Sequence, residues 1–310
     1  MSLHPSEHPV LISDPSLSGA FGHPLALRDA VAKRRLDFRR YLRAFRPGLF
    51  FSSVFALFLV VASICPGLLV SGDPLEANAR DAFQAPSSAH VLGTDENGRD
   101  VLTRIVYGVR PSLFLGLAAT AIGLGLGAAL GLTAGLGHFT IDSAVMRFID
   151  LLLAFPDLLL ALVIITFWGR GTTNAIFAIG LASVPRYTRL VRAQTHAIRN
   201  SSYVEAATTL GIRPLTLIFR HVLPNAIKPA IILATIGIGA KISQGAALSF
   251  LGLGAPPPSP EWGEMLSVGR SYLSNAWWLT AVPATALTLI VMSLGTLARD
   301  LFRRSEGKKA

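Results

Sequence analysis

Ionisable residues inside apolar stretches are the first candidates for chemistry in this sequence. Lys241 lies within an apolar run, and Gln244 follows it three residues later. Asp157 follows Pro156 inside a second apolar run, where it could cap a helix that restarts beyond a proline kink. Charged groups at membrane depth are costly and usually functional. We therefore predict that Lys241, Gln244 and Asp157 border a translocation pathway or a contact between subunits.

Catalytic chemistry is not indicated by any other motif. The sequence has no GxxxxGK[ST] phosphate loop, and its only Gly-Lys pair is Gly307-Lys308, near the C-terminus. Its single cysteine, Cys65, excludes an intrachain disulfide and a cysteine-based metal site. No nucleophile–base arrangement or carboxylate pair stands out. We expect no catalytic site, no metal site and no cofactor within this chain.

A polar segment, 202–225, separates two apolar runs. Ser202 and Glu205 have the spacing of a capping box, Gly211 is suited to end a helix, and Pro224 is expected to stop a second one. In that second helix the apolar residues recur at helical spacing, at Leu215, Ile218, Phe219 and Val222. Physical chemistry leaves two interpretations open: an amphipathic hairpin on anionic lipid, or a protein-docking element.

A stripe of glycines recurs every fourth residue in the second apolar run. Its members are Gly123, Gly127, Gly131 and Gly135. Residues at this spacing share one helix face, and glycines let another helix approach closely. The partner could be a helix of the same chain or a helix of another subunit, and the pattern does not choose between them.

The composition places these elements in a membrane. The 310 residues are 51% hydrophobic and 15% charged, with a mean hydropathy of +0.52, whereas soluble domains carry about 25% charged residues. Runs of about 20 apolar residues span a bilayer as helices. We predict an all-α, polytopic membrane protein with six transmembrane helices, at 47–70, 111–137, 148–168, 173–195, 227–253 and 277–298.

The basic residues define the predicted orientation. With six spans, 21 of the 28 Lys and Arg residues fall on one side and six on the other, with Lys241 inside a span. The basic side is cytoplasmic, so both termini are predicted to be cytoplasmic. Arg186, Arg189 and Arg192 are interpreted as contacts to lipid headgroups. The predicted layout is a tail (1–46), a first span (47–70), an external loop (71–110), a five-helix core (111–303) that contains segment 202–225, and a second tail (304–310).

The polar segment also carries a family resemblance. Glu205-Ala206-Ala207, Gly211 and Leu223-Pro224 resemble the EAA motif of permeases from binding-protein-dependent ABC importers. Three further stretches, 92–113, 150–161 and 248–266, are similar to the dipeptide, oligopeptide and nickel branch of that family. The basic N-terminal region resembles that of the C-type subunit. The chain departs from the family at Lys241 and Gln244, where a small apolar residue and a carboxylate are common.

The resemblance implies a function and a set of partners. Segment 202–225 would hold the coupling helix of such permeases: Ala206 and Ala207 would permit close seating on an ATPase, Glu205 would contact it and Gly211 would allow the bend. The implied partners are a second, homologous permease, two ATP-binding subunits that hold ATP-Mg, a periplasmic solute-binding protein and membrane lipid, with no nucleic acid. The implied location is the bacterial inner membrane. The implied cargo is a di- or oligopeptide, with nickel chelates or other small peptide-like solutes as alternatives. A receptor or scaffold that docks a cytoplasmic protein is the alternative from another class.

Overall fold

The structure is a computed structural model that describes residues 47–305; the predictions for the tail 1–46 and for residues 306–310 lie outside this range. The described chain is mainly helical, and its one β-contact is an isolated bridge between Thr94 and Asp100. The α-helices of this part are α1 Pro47–Ile64, α2 Val101–Leu136, α3 Phe139–Leu153, α4 Asp157–Trp168, α5 Thr172–Arg199, α6 Ser202–Thr209, α7 Pro214–Leu217, α8 Leu223–Phe250, α9 Trp262–Gly269 and α10 Trp278–Ser305.

The predicted all-α membrane fold is confirmed, but the number of six spans is not. Four helical stretches are long and apolar enough to cross a membrane: Pro47–Ile64, Val101–Leu136, Pro214–Phe250 and Trp278–Arg303. The bent pair α3 and α4 could supply a fifth. Helix α5 covers the fourth predicted span, but its C-terminal half carries four arginines, so length and composition alone do not mark it as a span.

The third predicted span, 148–168, is not one straight helix. The chain breaks at residues 154–156, and α3 and α4 meet at an angle of 95°. Pro156 causes the break because it has no N–H to continue the hydrogen bonding of α3 and it restricts the preceding residue to an extended conformation. The helix restarts at Asp157, as the proline kink suggested, but without a capping hydrogen bond from a side chain.

The second span begins earlier than the sequence suggested. Helix α2 starts at Val101, ten residues before the predicted start, and it continues through Pro111. The Asp100 side chain caps it by accepting a hydrogen bond of 2.8 Å from the Thr103 N–H. The segment placed in the external loop therefore ends in the first three turns of a long helix.

Helices α2 and α5 pack together more extensively than any other helix pair of the described chain, and the glycine stripe makes this packing possible. A Cβ atom at Gly127 would lie 2.5 Å from the Tyr187 Cβ, and one at Gly135 would lie 2.6 Å from the Thr195 Cβ. Gly123 and Gly131 meet the same face of α5, near Ser183 and Thr188. Any larger residue would push the two helices apart, so the structure places the stripe against a helix of the same chain.

The polar segment forms a bent helical hairpin, α6 followed by α7. The predicted capping box is absent: Ser201, not Ser202, occupies the N-cap position, and its hydroxyl donates back to the Ile198 carbonyl. Pro224 does not end a helix either. A five-residue π-helix, Ile218–Val222, joins α7 to α8 and shifts the hydrogen-bond register just before the proline. Residues 214–250 are therefore continuously helical.

Candidate functional site

The hairpin presents one face to its own chain and leaves the other uncovered. Val204 and Ala207 are buried, with 3% and 8% of their surface exposed, whereas Glu205 and Ala206 are exposed. This division follows helical periodicity, since residues three apart share a face. Ala207 therefore contacts its own chain, and only Glu205 and Ala206 of the motif stand free on α6.

An apolar ridge runs along the uncovered side of the hairpin. Its members are Tyr203, Leu210, Leu215 and Phe219, which are 46%, 81%, 69% and 65% exposed. Val222, which the sequence placed on the same stripe, is buried instead. We call these four exposed residues the hairpin ridge. Contiguous exposed apolar surface of this kind marks an interaction site when it is rimmed by polar groups, and Glu205 and Arg213 are exposed beside it.

Gly211 sets the angle between the two arms of the hairpin. Its φ of +76° lies in the left-handed region that favours glycine. Its N–H donates to the Thr208 carbonyl, and the following N–H donates to the Ala207 carbonyl, which closes the end of α6. Leu223 is half-buried and Pro224 is exposed at the start of α8. These residues belong to the same end of the molecule as the hairpin ridge.

The three predicted pathway residues come together in the interior. The Lys241 Nζ lies 3.1 Å from the Gln244 Oε1 and 3.9 Å from the Asp157 Oδ2. Lys241 is 5% exposed. Asp157 also accepts a hydrogen bond of 2.9 Å from Arg186. One carboxylate therefore lies between two cations, at a point where α4, α5 and α8 meet.

The arginines of α5 form ion pairs rather than the expected contacts with lipid headgroups. Arg186, Arg189 and Arg192 pair in order with Asp157, Asp150 and Asp142. The sequence analysis did not predict these pairs, which form because the break after α3 folds α3 and α4 along the basic face of α5. Arg189 and Asp150, the pair in which both side chains are most exposed, are each more than half exposed, and such pairs contribute at most about 1 kcal/mol.

At the opposite end of α8, a buried ionic cluster that the sequence analysis missed joins distant parts of the chain. Arg104, which is 4% exposed, lies 3.6 Å from both Asp95 and Glu264. Its guanidinium also donates to the Pro258 and Ser259 carbonyls. We call Asp95, Arg104 and Glu264 the Arg104 cluster. The sequence feature that could have indicated this cluster is Arg104 itself, an arginine in the apolar first turn of a helix, between segments rich in acidic residues.

Two buried tryptophans form hydrogen bonds in the region of the Arg104 cluster. The Trp262 indole N–H donates to the Ile105 carbonyl at 3.0 Å, and the Trp278 indole N–H donates to the Thr94 carbonyl at 3.1 Å. Both rings are buried. The segment before α2 and the segment between α8 and α10 are thereby held as one unit.

Within the Arg104 cluster, burial disfavours the ionised form of Glu264. Burial raises its pKa from an ordinary value of 4.5 to about 7, although Arg104 opposes the shift. Its Oε2 accepts no hydrogen bond from the residues that the structure describes. A carboxylate in this state favours a proton or a cation.

Known proteins with similar sequences and a similar fold are transport permeases. The chain is 41% identical over 244 residues to the dipeptide transport system permease protein DppC of Alkalihalophilus pseudofirmus, covering 79% of this chain and 80% of that protein. It is 39% identical over 255 residues to the di/tripeptide transport system permease protein DppC of Pseudomonas aeruginosa, covering 80% and 84%. The fold matches a chain of the inward-facing MetNI methionine ABC transporter with a TM-score of 0.53 at 18% identity, covering 65% of this chain and 95% of that one.

The fold and these relatives define a multi-pass permease subunit of an ABC importer, and so a transport protein rather than an enzyme. Residues 112–307 match the protein family described as "binding-protein-dependent transport system inner membrane component". This match spans well over half of the sequence, and the chain belongs to that family. This match confirms the prediction, made from the EAA motif, that the chain is a permease of binding-protein-dependent ABC importers.

Proposed function

We propose that this permease imports di- or oligopeptides that a periplasmic solute-binding protein delivers, together with a second, homologous permease and two ATP-binding subunits. The names of the relatives with about 40% identity over four fifths of the chain support the cargo class. The orientation follows from the basic residues, with both termini and the hairpin in the cytoplasm. ATP-Mg is bound by the partner subunits.

The hairpin ridge carries the proposal that an ATPase docks on α6 and α7. Four apolar side chains lie uncovered there, beside the exposed Glu205 and Ala206. Ala206 offers a flat seat, and Gly211 fixes the bend that aligns both arms. Leu223 and Pro224 begin the long helix α8, so a movement of the seated hairpin is passed directly to the interior of the permease.

We further propose that Lys241, Gln244 and Asp157 border the translocation pathway. Lys241 faces a carboxylate that Arg186 also holds. Because Asp157 has two cationic partners from different helices, a relative movement of α5 and α8 changes which of them it neutralises. A polar group of a passing substrate could then replace one partner without leaving a bare charge.

A charge reversal on the hairpin tests the docking proposal. Glu205→Lys is expected to abolish both co-purification of the ATP-binding subunits and peptide uptake, because the exposed carboxylate lies beside the ridge and makes no hydrogen bond or ion pair with the residues that the structure describes. Lys228→Glu, an equal and opposite change at an exposed position in the first two turns of α8, is the matched control and is expected to retain assembly.

The result also separates the classes of function. If Glu205→Lys keeps uptake and bound ATPase at wild-type levels, the hairpin is not the docking element. If the purified wild-type protein carries no ATP-binding subunit and moves no peptide, a receptor or scaffold role replaces the importer.

A further inference from the structure

A cavity of about 440 Å³ opens beside the Arg104 cluster, at the end of the bundle opposite the hairpin. It lies between the turn that joins α4 to α5, the end of α8 and helix α9. Its polar lining includes Arg170, Ser249, Glu264 and Ser267. This volume falls within the range of small-molecule sites, roughly 300–1,000 Å³.

Two features show that the cavity is a constructed site rather than a gap between loops. The turn that carries Arg170 is fixed by two glycines in extended or left-handed conformations, and the Gly171 N–H donates to the Leu253 carbonyl at 3.1 Å. The Glu261 carboxylate caps α9, the helix that carries Glu264, through the Gly263 and Glu264 N–H groups. The segments that carry Arg170 and Glu264 are thus each held by hydrogen bonds to the backbone.

Glu264 supplies the observation that points to a ligand. Only 3% of the residue is exposed, yet it lines this cavity, and its Oε2, which forms an ion pair with Arg104 at 3.6 Å, accepts no hydrogen bond from any described residue. On its other side is a pocket of about 20 Å³ next to Asp95 and Arg104, with room for about one water molecule. A donor group bound in the larger cavity would complete the hydrogen bonding of this carboxylate.

The charges of the cavity match the two ends of a free peptide. An ammonium group has three N–H donors and a positive charge, so it complements the Glu264 carboxylate in both hydrogen bonding and charge. Arg170 is exposed at the rim and offers the fork of donors that suits a carboxylate. We propose that this cavity receives the peptide from the binding protein, with Glu264 holding its ammonium group and Arg170 its terminal carboxylate. This inference rests on the proposed function.

A proton and the ammonium group of the peptide compete for the Glu264 carboxylate, so peptide capture should depend on pH. With a pKa of about 7, Glu264 must lose a proton before it binds an ammonium group. The charged groups that face it are Arg104 on α2, Glu96 and Arg99 on the segment before α2, and Glu261 at the start of α9. Ionisation rises about tenfold between pH 6 and pH 8 for such a group, so peptide capture should rise with pH by a similar factor.

The test uses the complete importer, reconstituted in phosphatidylglycerol vesicles so that no headgroup ammonium competes. Uptake of dialanine on saturated binding protein is measured per ATP hydrolysed at pH 6 and pH 8. Glu264→Gln and Arg170→Gln are expected to lower this ratio about tenfold at pH 8, and Glu264→Gln is also expected to remove its pH dependence. Glu76→Gln and Arg270→Gln, at exposed positions that do not line the cavity, are the matched controls and are expected to keep the wild-type ratio and profile.

The outcomes separate this inference from the proposed function. If the wild-type importer moves dialanine and both cavity variants keep its ratio and pH profile, the cavity is not a peptide site and the proposed function stands. If the wild-type importer moves no dialanine or other short peptide, the proposed function fails as well. Should Glu264→Gln not assemble, Arg170→Gln decides alone, since its side chain is exposed and an unchanged ratio overturns the inference.

Discussion

The two ends of α8 are built on opposite principles. At the Arg104 cluster, the buried guanidinium and both indole N–H groups find their partners within the same chain. At the hairpin, apolar side chains such as Leu210 and Leu215 are exposed, and α6 lacks a side-chain cap. One end is therefore held together by buried contacts of its own chain, whereas the other has the exposed apolar surface of an interaction site.

Removing the central cation should break the self-contained end. Arg104→Met leaves Asp95 and Glu264 buried near each other without their shared cation, and breaking a buried pair in this way costs about 3–5 kcal/mol. We expect loss of folded permease from membranes, measured as yield in size-exclusion chromatography. Arg110→Met, at an exposed position on the same helix, should leave the yield unchanged; an equal loss in both variants would contradict the role of the cluster.

A matched pair of glycine substitutions compares the two ends directly. Gly98 and Gly211 have nearly the same positive φ, +74° and +76°. A Cβ at Gly98 would overlap the Asn78 carbonyl oxygen, whereas a Cβ at Gly211 meets open space. Gly211→Ala should therefore cost only the backbone strain, about 1 kcal/mol, and Gly98→Ala several times more. Thermal unfolding of the purified complex measures both, and equal shifts would refute the comparison.

Glu264 gives the self-contained end a pH dependence. Its pKa is raised from 4.5 to about 7 on folding, so its protonated form is favoured and its stabilisation is lost as the pH rises through that window. Glu264→Gln should therefore be more stable than the wild type at pH 8, by up to about 3 kcal/mol, and equally stable at pH 4.5. Unfolding midpoints at the two pH values measure this, and a variant that is less stable at pH 8 contradicts it.

The hairpin ridge should show the smallest effect on stability and a large one on assembly. Leu215→Ser and Phe219→Ser alter exposed side chains, so the unfolding free energy should change by less than about 0.5 kcal/mol. The bound ATPase should nevertheless fall well below that of the control Thr216→Ala, which alters an exposed polar residue on the same turn. Quantifying subunits after affinity purification checks this, and full retention of ATPase would show that the ridge faces lipid.

The sequence predicted the all-α class because a bilayer permits little else. Periodicity also located the hairpin and the bend at Gly211, since glycine readily takes the left-handed conformation that ends a helix. It did not predict the ion pairs of Arg186, Arg189 and Arg192, because their aspartates lie 29 to 50 residues earlier in sequence and meet them only after the chain turns at Pro156. Long-range pairing of this kind leaves no local pattern.

The errors at Ser202 and Pro224 have a common physical origin. In each case a local signal was sound, but the adjoining helix imposed another register. The turn after α5 placed Ser201 at the cap position, and the π-helix before α8 absorbed the missing N–H of Pro224. The Arg104 cluster was missed for a different reason: its members come from segments more than 150 residues apart, and each looks alone like an ordinary loop charge.

The unbroken helix from Pro214 to Phe250 has a mechanical consequence. At 37 residues it is roughly 55 Å long, and it joins the open hairpin to the wall of the cavity beside Ser249. A rigid rod of this length converts a tilt of about 5° at one end into a displacement of roughly 5 Å at the other. Small rotations at the hairpin end are thus magnified into movements the size of a peptide bond or more at the end beside the cavity.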